Sequence, residues 1–129
     1  MRAITVRQPF ASEILSGKKT VEYRSFFTQT GDILICAGKA DPENDGLPRG
    51  VALCVVRIAG FMYDVEYTDG TLATVIEIDG KEKKIIPRKA GSEVYPIGWL
   101  LEDLRPVEQI PIRGMPGIFH VDDKLIKFI

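Results

Sequence analysis

Cysteine and histidine are almost missing from this chain of 129 residues, which has two of the first and one of the second. Cys36 and Cys54 form no CxxC pair, and His120 is alone. A Cys/His zinc centre and a disulfide scaffold are therefore excluded as organising principles, and no metal or cofactor is expected. Both cysteines lie within apolar runs, so they read as buried free thiols. Long hydrophobic runs are also missing. The longest unbroken one is Val51–Val56, far too short to span a bilayer as a helix. The opening Met1-Arg2-Ala3-Ile4-Thr5-Val6-Arg7-Gln8-Pro9 has no apolar signal region before its charges. The expectation is a cytoplasmic protein without a membrane partner. Net charge is −1, so no global field draws the molecule to polyanions.

What is present is the composition of an ordinary globule, 45% apolar and 27% charged, of a length that suits a single domain over 1–129. Charge is unevenly spread. Residues 1–39 carry a net +3, residues 40–80 a net −6 and residues 81–129 a net +2. An anion site should draw on the two outer segments.

Ile4 and Val6 alternate with Thr5 and Arg7, which predicts a short strand. Pro9 suits the first position of a helix. Phe10, Ala11, Ile14 and Leu15 share one face of that helix, and Gly17 stops it. Thr20–Arg24 alternates again, placing Val21 and Tyr23 on one face and Thr20, Glu22 and Arg24 on the other; Tyr23 is assigned to the core. Gly31-Asp32 turns into the apolar run Ile33–Ala37. Asp41–Gly50 has loop composition, and Val51–Ile58 reads as a buried strand. Asp69-Gly70 and Asp79-Gly80 mark hairpins, the second flanked by Val75–Ile78 and Lys83–Ile86. Leu100–Val107, Ile110–Ile112 and Ile118–Val121 are the last strand candidates. One short helix, or two, against seven to nine short strands describes a mainly β, α+β fold. A small β-barrel is favoured, with a hairpin-rich excursion at about residues 60–95.

The chemically richest stretch is Gly17-Lys18-Lys19-Thr20-Val21-Glu22-Tyr23-Arg24. Lysines at the helix stop are followed by Glu22 and Arg24 on one strand face. With Arg7 ending the first strand, several cations and one carboxylate are expected to converge. Lysine offers phosphate a point charge and arginine a bidentate fork. A carboxylate among them can accept from a base amine or orient water. The plainer alternative is that Glu22 pairs with Arg24 or Lys19 and stabilises the strand.

The run G-x-K-x-x-E-x-R, read as Gly17, Lys19, Glu22 and Arg24, resembles the signature of the ASCH family of PUA-like β-barrel proteins. Ile4–Ala11 resembles that family's first strand and helix entry, Gly31–Ile35 and Pro48–Ala52 its next strands, and Gly98–Val107 with Pro111–Phe119 its closing segments. The resemblance covers residues 1–59 and 96–121 and leaves 60–95 unplaced. It implies a PUA-like small β-barrel with a cleft beside the short helix that binds RNA or a modified nucleoside. In family members resembling N4-acetylcytidine amidohydrolases, the signature lysine is base for a threonine three positions later. Lys19 matches the lysine, but Glu22 occupies the threonine position, and Thr20 is the only nearby substitute.

The leading expectation is a protein that binds RNA or a nucleoside or nucleotide ligand through Arg7, Gln8, Lys19, Glu22, Arg24, Lys39 and Trp99. In this reading Lys19 and Arg24 hold phosphate or a base edge. Trp99, the only tryptophan, is either a core residue or a stacking platform. Gln8 either caps the helix or reads a base. Lys39 either faces the cleft or is solvated, and His120 is structural. The alternatives are a hydrolase with Lys19 as base and Glu22 as acid/base, and a non-catalytic protein-interaction module using residues 60–95. The sequence leaves oligomeric state open.

Overall fold

Strand β1 (Arg2–Val6) pairs in parallel with β3 (Gly31–Ala37), Ala3 opposite Leu34 and Val6 opposite Ala37, and antiparallel with β8 (Ile118–His120). Parallel neighbours need a crossover, and helix α1 (Phe10–Leu15) and strand β2 (Val21–Arg24) occupy it. The computed structural model describes residues 1–40 and 44–129. After β3 come β4 (Val51–Glu66), β5 (Leu72–Ile78), β6 (Lys81–Arg88) and β7 (Ile97–Pro106), and a 3-10 turn at Asp123–Leu125 follows β8. The fold is mainly β with one short helix, as expected. Hydrogen-bonded neighbours run β2-β7-β4-β3-β1-β8, with β5 on β4 and β6 on β5, a path that does not close. Among the described residues, no helix is long and apolar enough to cross a membrane.

The strands thread through two compact units. The first comprises Met1–Thr20, Gly31–Arg57 and Glu102–Ile129. Its core is a run of fully apolar strand faces: Ala3, Leu34, Cys36, Ala52, Val55 and Val107 are at most 2% exposed. Strands buried on both faces read as continuous hydrophobic runs, which is why Ile33–Ala37 and Val51–Val56 were legible. Helix α1 begins at Phe10, one residue later than Pro9 suggested, and packs on β3 through buried Ala11 and Ile14. Phe10 was expected on that face but is half exposed, with the Lys19 ammonium over its ring. Ile110–Ile112 forms only an isolated bridge, Pro111 opposite Val51. The Asp41–Gly50 loop is irregular from Asn44 onward, and its first three residues lie outside the described ones.

The second unit comprises Val21–Thr30 and Ile58–Leu101. Here the far half of β4 makes an antiparallel meander with β5 and β6. Both predicted hairpin turns are present. Asp79 and Gly80 have φ of +52° and +77°, the positive values a two-residue hairpin turn requires. Strand β4 does not stop at Ile58 but runs on to Glu66. Gly60 permits this: a Cβ there would overlap the Glu77 carbonyl on β5. Strand β2 pairs antiparallel with β7, Glu22 opposite Trp99 and Tyr23 opposite Gly98.

Candidate functional site

The two signature residues on β2 meet each other. Arg24 donates from Nε (3.2 Å) and Nη2 (2.8 Å) to Oε2 of Glu22, whose residue is 7% exposed. Burying a carboxylate costs several kcal/mol unless it is paired and hydrogen-bonded, and the arginine two residues along meets that demand. In return the guanidinium is held in one orientation, half-buried. Trp99, opposite Glu22 on β7, is a core residue: 1% exposed, it donates its indole N–H to the Phe26 carbonyl at 3.0 Å and stands edge-on to the Phe26 ring. That placement corrects its assignment as a stacking platform, since its ring has no open face for a base.

The remaining expected site residues belong to the first unit. Lys19 is half-buried, with its ammonium 5.7 Å from the Phe10 ring centroid, a contact worth about 0.5–1 kcal/mol where exposed. Exposed Phe10 thus acts as a rest for the signature lysine. Gln8 is buried and bonded at both ends of its amide. Its Oε1 accepts from the Ser12 N–H (2.9 Å) and its Nε2 donates to the Pro48 carbonyl (2.8 Å). It caps the helix and ties down the loop before β4, which resolves its role away from base reading. Arg7 is exposed on the turn into α1, and its carbonyl accepts from Ala11. Lys39 is exposed, and its stem lies along Gly50, where a Cβ would come within 2.5 Å of Lys39 Cε. Gly50, at φ +69°, is thus fixed by both backbone and neighbour. His120 is exposed, opposite Arg2 in the register.

Cys36 and Cys54 are free and buried, and burial pushes both thiols up to about 12, which removes them as nucleophiles at neutral pH. Among the described residues, no cluster of three or more His, Cys, Asp or Glu side chains is placed to hold a metal ion.

Tyr23 overturns its core assignment. Glu22, not Tyr23, faces inward, and Tyr23 is 46% exposed. It lines a cavity of about 190 Å³ with Met62, Tyr63, Asp64, Arg88 and Tyr95, all in the second unit. The hub is Asp64, with a side chain 5% exposed. It accepts from Arg88 Nη1 (2.7 Å), Thr74 Oγ1 (2.6 Å) and the Tyr95 N–H (3.0 Å). Desolvation pushes the Asp64 carboxyl up, but these three bonds outweigh it and hold it below the usual aspartate value. Arg88 also donates to the Glu93 carbonyl (2.6 Å) and lies 5.5 Å from the Tyr95 ring centroid. Sequence reading missed this cluster because its members are separated by 24 and 31 positions, without any local pattern.

Fold and site together define a mainly β protein with one short helix beside a G-x-K-x-x-E-x-R run. A family model for the ASCH domain matches residues 4–96, and the chain belongs to that family. This membership suggests a PUA-like fold of the RNA-binding kind. The match includes the excursion at 60–95, which the motif resemblance had left unplaced, and ends just before β7. No curated protein sequence matches the chain significantly.

Proposed function

We propose that this ASCH domain protein binds RNA, or a nucleoside or nucleotide unit of it, through its signature charges. Lys19, Arg7 and Lys39 in the first unit supply cations for phosphate or polar base edges, and Arg24 in the second unit supplies one of its own. Glu22 fixes the Arg24 guanidinium. Gln8 and Trp99 position the chain and do not touch the ligand. The observation that carries this reading is the Glu22–Arg24 pair. A buried carboxylate gripping Nε and Nη2 presents a pre-oriented guanidinium, so little side-chain entropy is lost when an anion arrives. The same pair favours binding over hydrolysis, because the position of the hydrolases' threonine is occupied by a carboxylate already engaged with Arg24. Near-neutral net charge fits a short footprint of few phosphates.

The test is fluorescence anisotropy with a short single-stranded RNA, together with an assay for acetate release from N4-acetylcytidine. The reading expects binding weakened severalfold in Arg24→Ala and in Lys19→Ala, and no acetate release. Lysine-dependent release of acetate would establish the hydrolase instead. Binding unaltered by either substitution would remove the signature from the account.

A further inference from the structure

We propose that the cavity formed by Tyr23, Tyr63, Tyr95, Asp64, Thr74 and Arg88 is a second binding site, which takes one unpaired, uncharged nucleobase with an amino edge, adenine or cytosine. It includes none of Lys19, Glu22 and Arg24, and it stands independently of the signature reading.

Charge decides the class of ligand first. The guanidinium in the lining, Arg88, grips the Asp64 carboxylate at 2.7 Å. Three donors converge on Asp64, and Arg88 is directed at Asp64, the Glu93 carbonyl and the Tyr95 ring. Both terminal nitrogens of Arg88 already donate within the lining, to Asp64 and to the Glu93 carbonyl, so an ionic ligand would lose solvation without recompense. Shape decides next. A cavity of about 190 Å³ accommodates one ring system and no extended strand. Tyr23 and Tyr95, from separate segments, line it, with Met62 and Pro96 completing the apolar part, while Tyr63 turns its ring to the other sheet face against Phe27. Tyr95 is 55% exposed and Tyr23 is 46% exposed, so ring area faces solvent where apolar surface is ordinarily withdrawn. Aromatic rings displayed on a sheet are how proteins stack splayed-out bases.

Polarity of the lining narrows the base. Thr74, paired with Asp64 across the strands, donates its hydroxyl to that carboxylate. With its proton committed, the Thr74 oxygen is left as an acceptor. Such a lining complements an exocyclic amine, which adenine and cytosine carry and uracil lacks. A plain hydrocarbon ring, such as a phenylalanine of a peptide, would leave the Thr74 oxygen without a donor.

Uncharged nucleosides separate this site from any phosphate contact. The full chain is titrated with adenosine, cytidine, uridine and N-acetyltyrosinamide at millimolar concentration, and backbone amide shifts are followed by NMR. The expected result is saturable shifts at residues 23, 63, 64, 74, 88 and 95 with adenosine or cytidine, at severalfold lower concentration than with uridine. Tyr95→Ala should weaken them roughly tenfold or more, and Tyr95→Phe should restore them. Tyr95 meets Asp64 through its backbone, so truncating its exposed ring leaves that bond in place. Shifts confined to other residues, no shifts with any nucleoside, or equal response to N-acetyltyrosinamide would each overturn the proposal. An intact response in Lys19→Ala and Arg24→Ala shows the site acting alone, and its failure would leave the signature reading untouched.

Discussion

The two units solve the burial problem differently. Of the twelve largest fully buried side chains among the described residues, ten belong to the first unit, and only Ile58 and Trp99 belong to the second. The second unit displays Tyr23, Phe27, Tyr67, Ile85, Val94 and Tyr95 to solvent, whereas the first exposes Phe10, Met115, Leu125, Phe128 and Ile129. The second organises its distal hairpins around Asp64, a charge held by three hydrogen bonds. The first unit is a hydrophobic core with cations on its loops; the second is a thin meander held by a buried polar hub. Exposed aromatic surface is a liability in solution, so the contrast sets a unit with a polar hub and exposed rings against a unit with an apolar core whose loops carry three of the proposed ligand-binding cations, Arg7, Lys19 and Lys39.

Perturbing each unit by its own mechanism should separate them. The largest effect is expected in the first unit: Leu34→Ala should cost about 2–5 kcal/mol in urea unfolding, whereas Ile85→Ala in the second should stay within about 0.5 kcal/mol. Comparable costs for the two would erase the distinction. Next is Asp64→Ala, which leaves Arg88 half-buried without its partner and should cost about 2 kcal/mol. Its pH dependence has a definite sign. The hydrogen bonds to Asp64 hold its folded-state pKa below that of a free aspartate, so its contribution is complete above the free value and lost as pH falls through the folded one. The stability gap between wild type and Asp64→Ala should therefore be constant near neutrality and close in strong acid; a gap that grew on acidification would refute the hub. A smaller effect concerns the thiols. With both pushed up to about 12 by burial, a thiol reagent at pH about 8 should react only as the first unit opens. Prompt labelling of native protein would contradict their placement.

Much of the fold was legible because its signals are local. Asp79-Gly80 asked for a turn with positive φ and received one, and Ile33–Ala37 asked for burial on both faces. Alternation in Val21–Arg24 gave two faces but not which one pointed inward. Apolar character favoured Tyr23, whereas the Glu22–Arg24 bond made the carboxylate the buried side. Trp99 and Gln8 carried two readings each, and partners far along the chain, the Phe26 and Pro48 carbonyls, settled them. The continuation of β4 past Ile58 depended on Gly60 passing close to Glu77, a contact across 17 positions that periodicity does not encode.

The most direct measurement of the central claim is the salt dependence of short single-stranded RNA binding by wild type, Arg24→Ala and Lys19→Ala. Each cation that neutralises a phosphate adds about 0.7 to the slope of log affinity against log salt. The account predicts a slope shallower by about that amount in each variant. A slope identical in all three proteins, or an RNA affinity independent of salt, would contradict it.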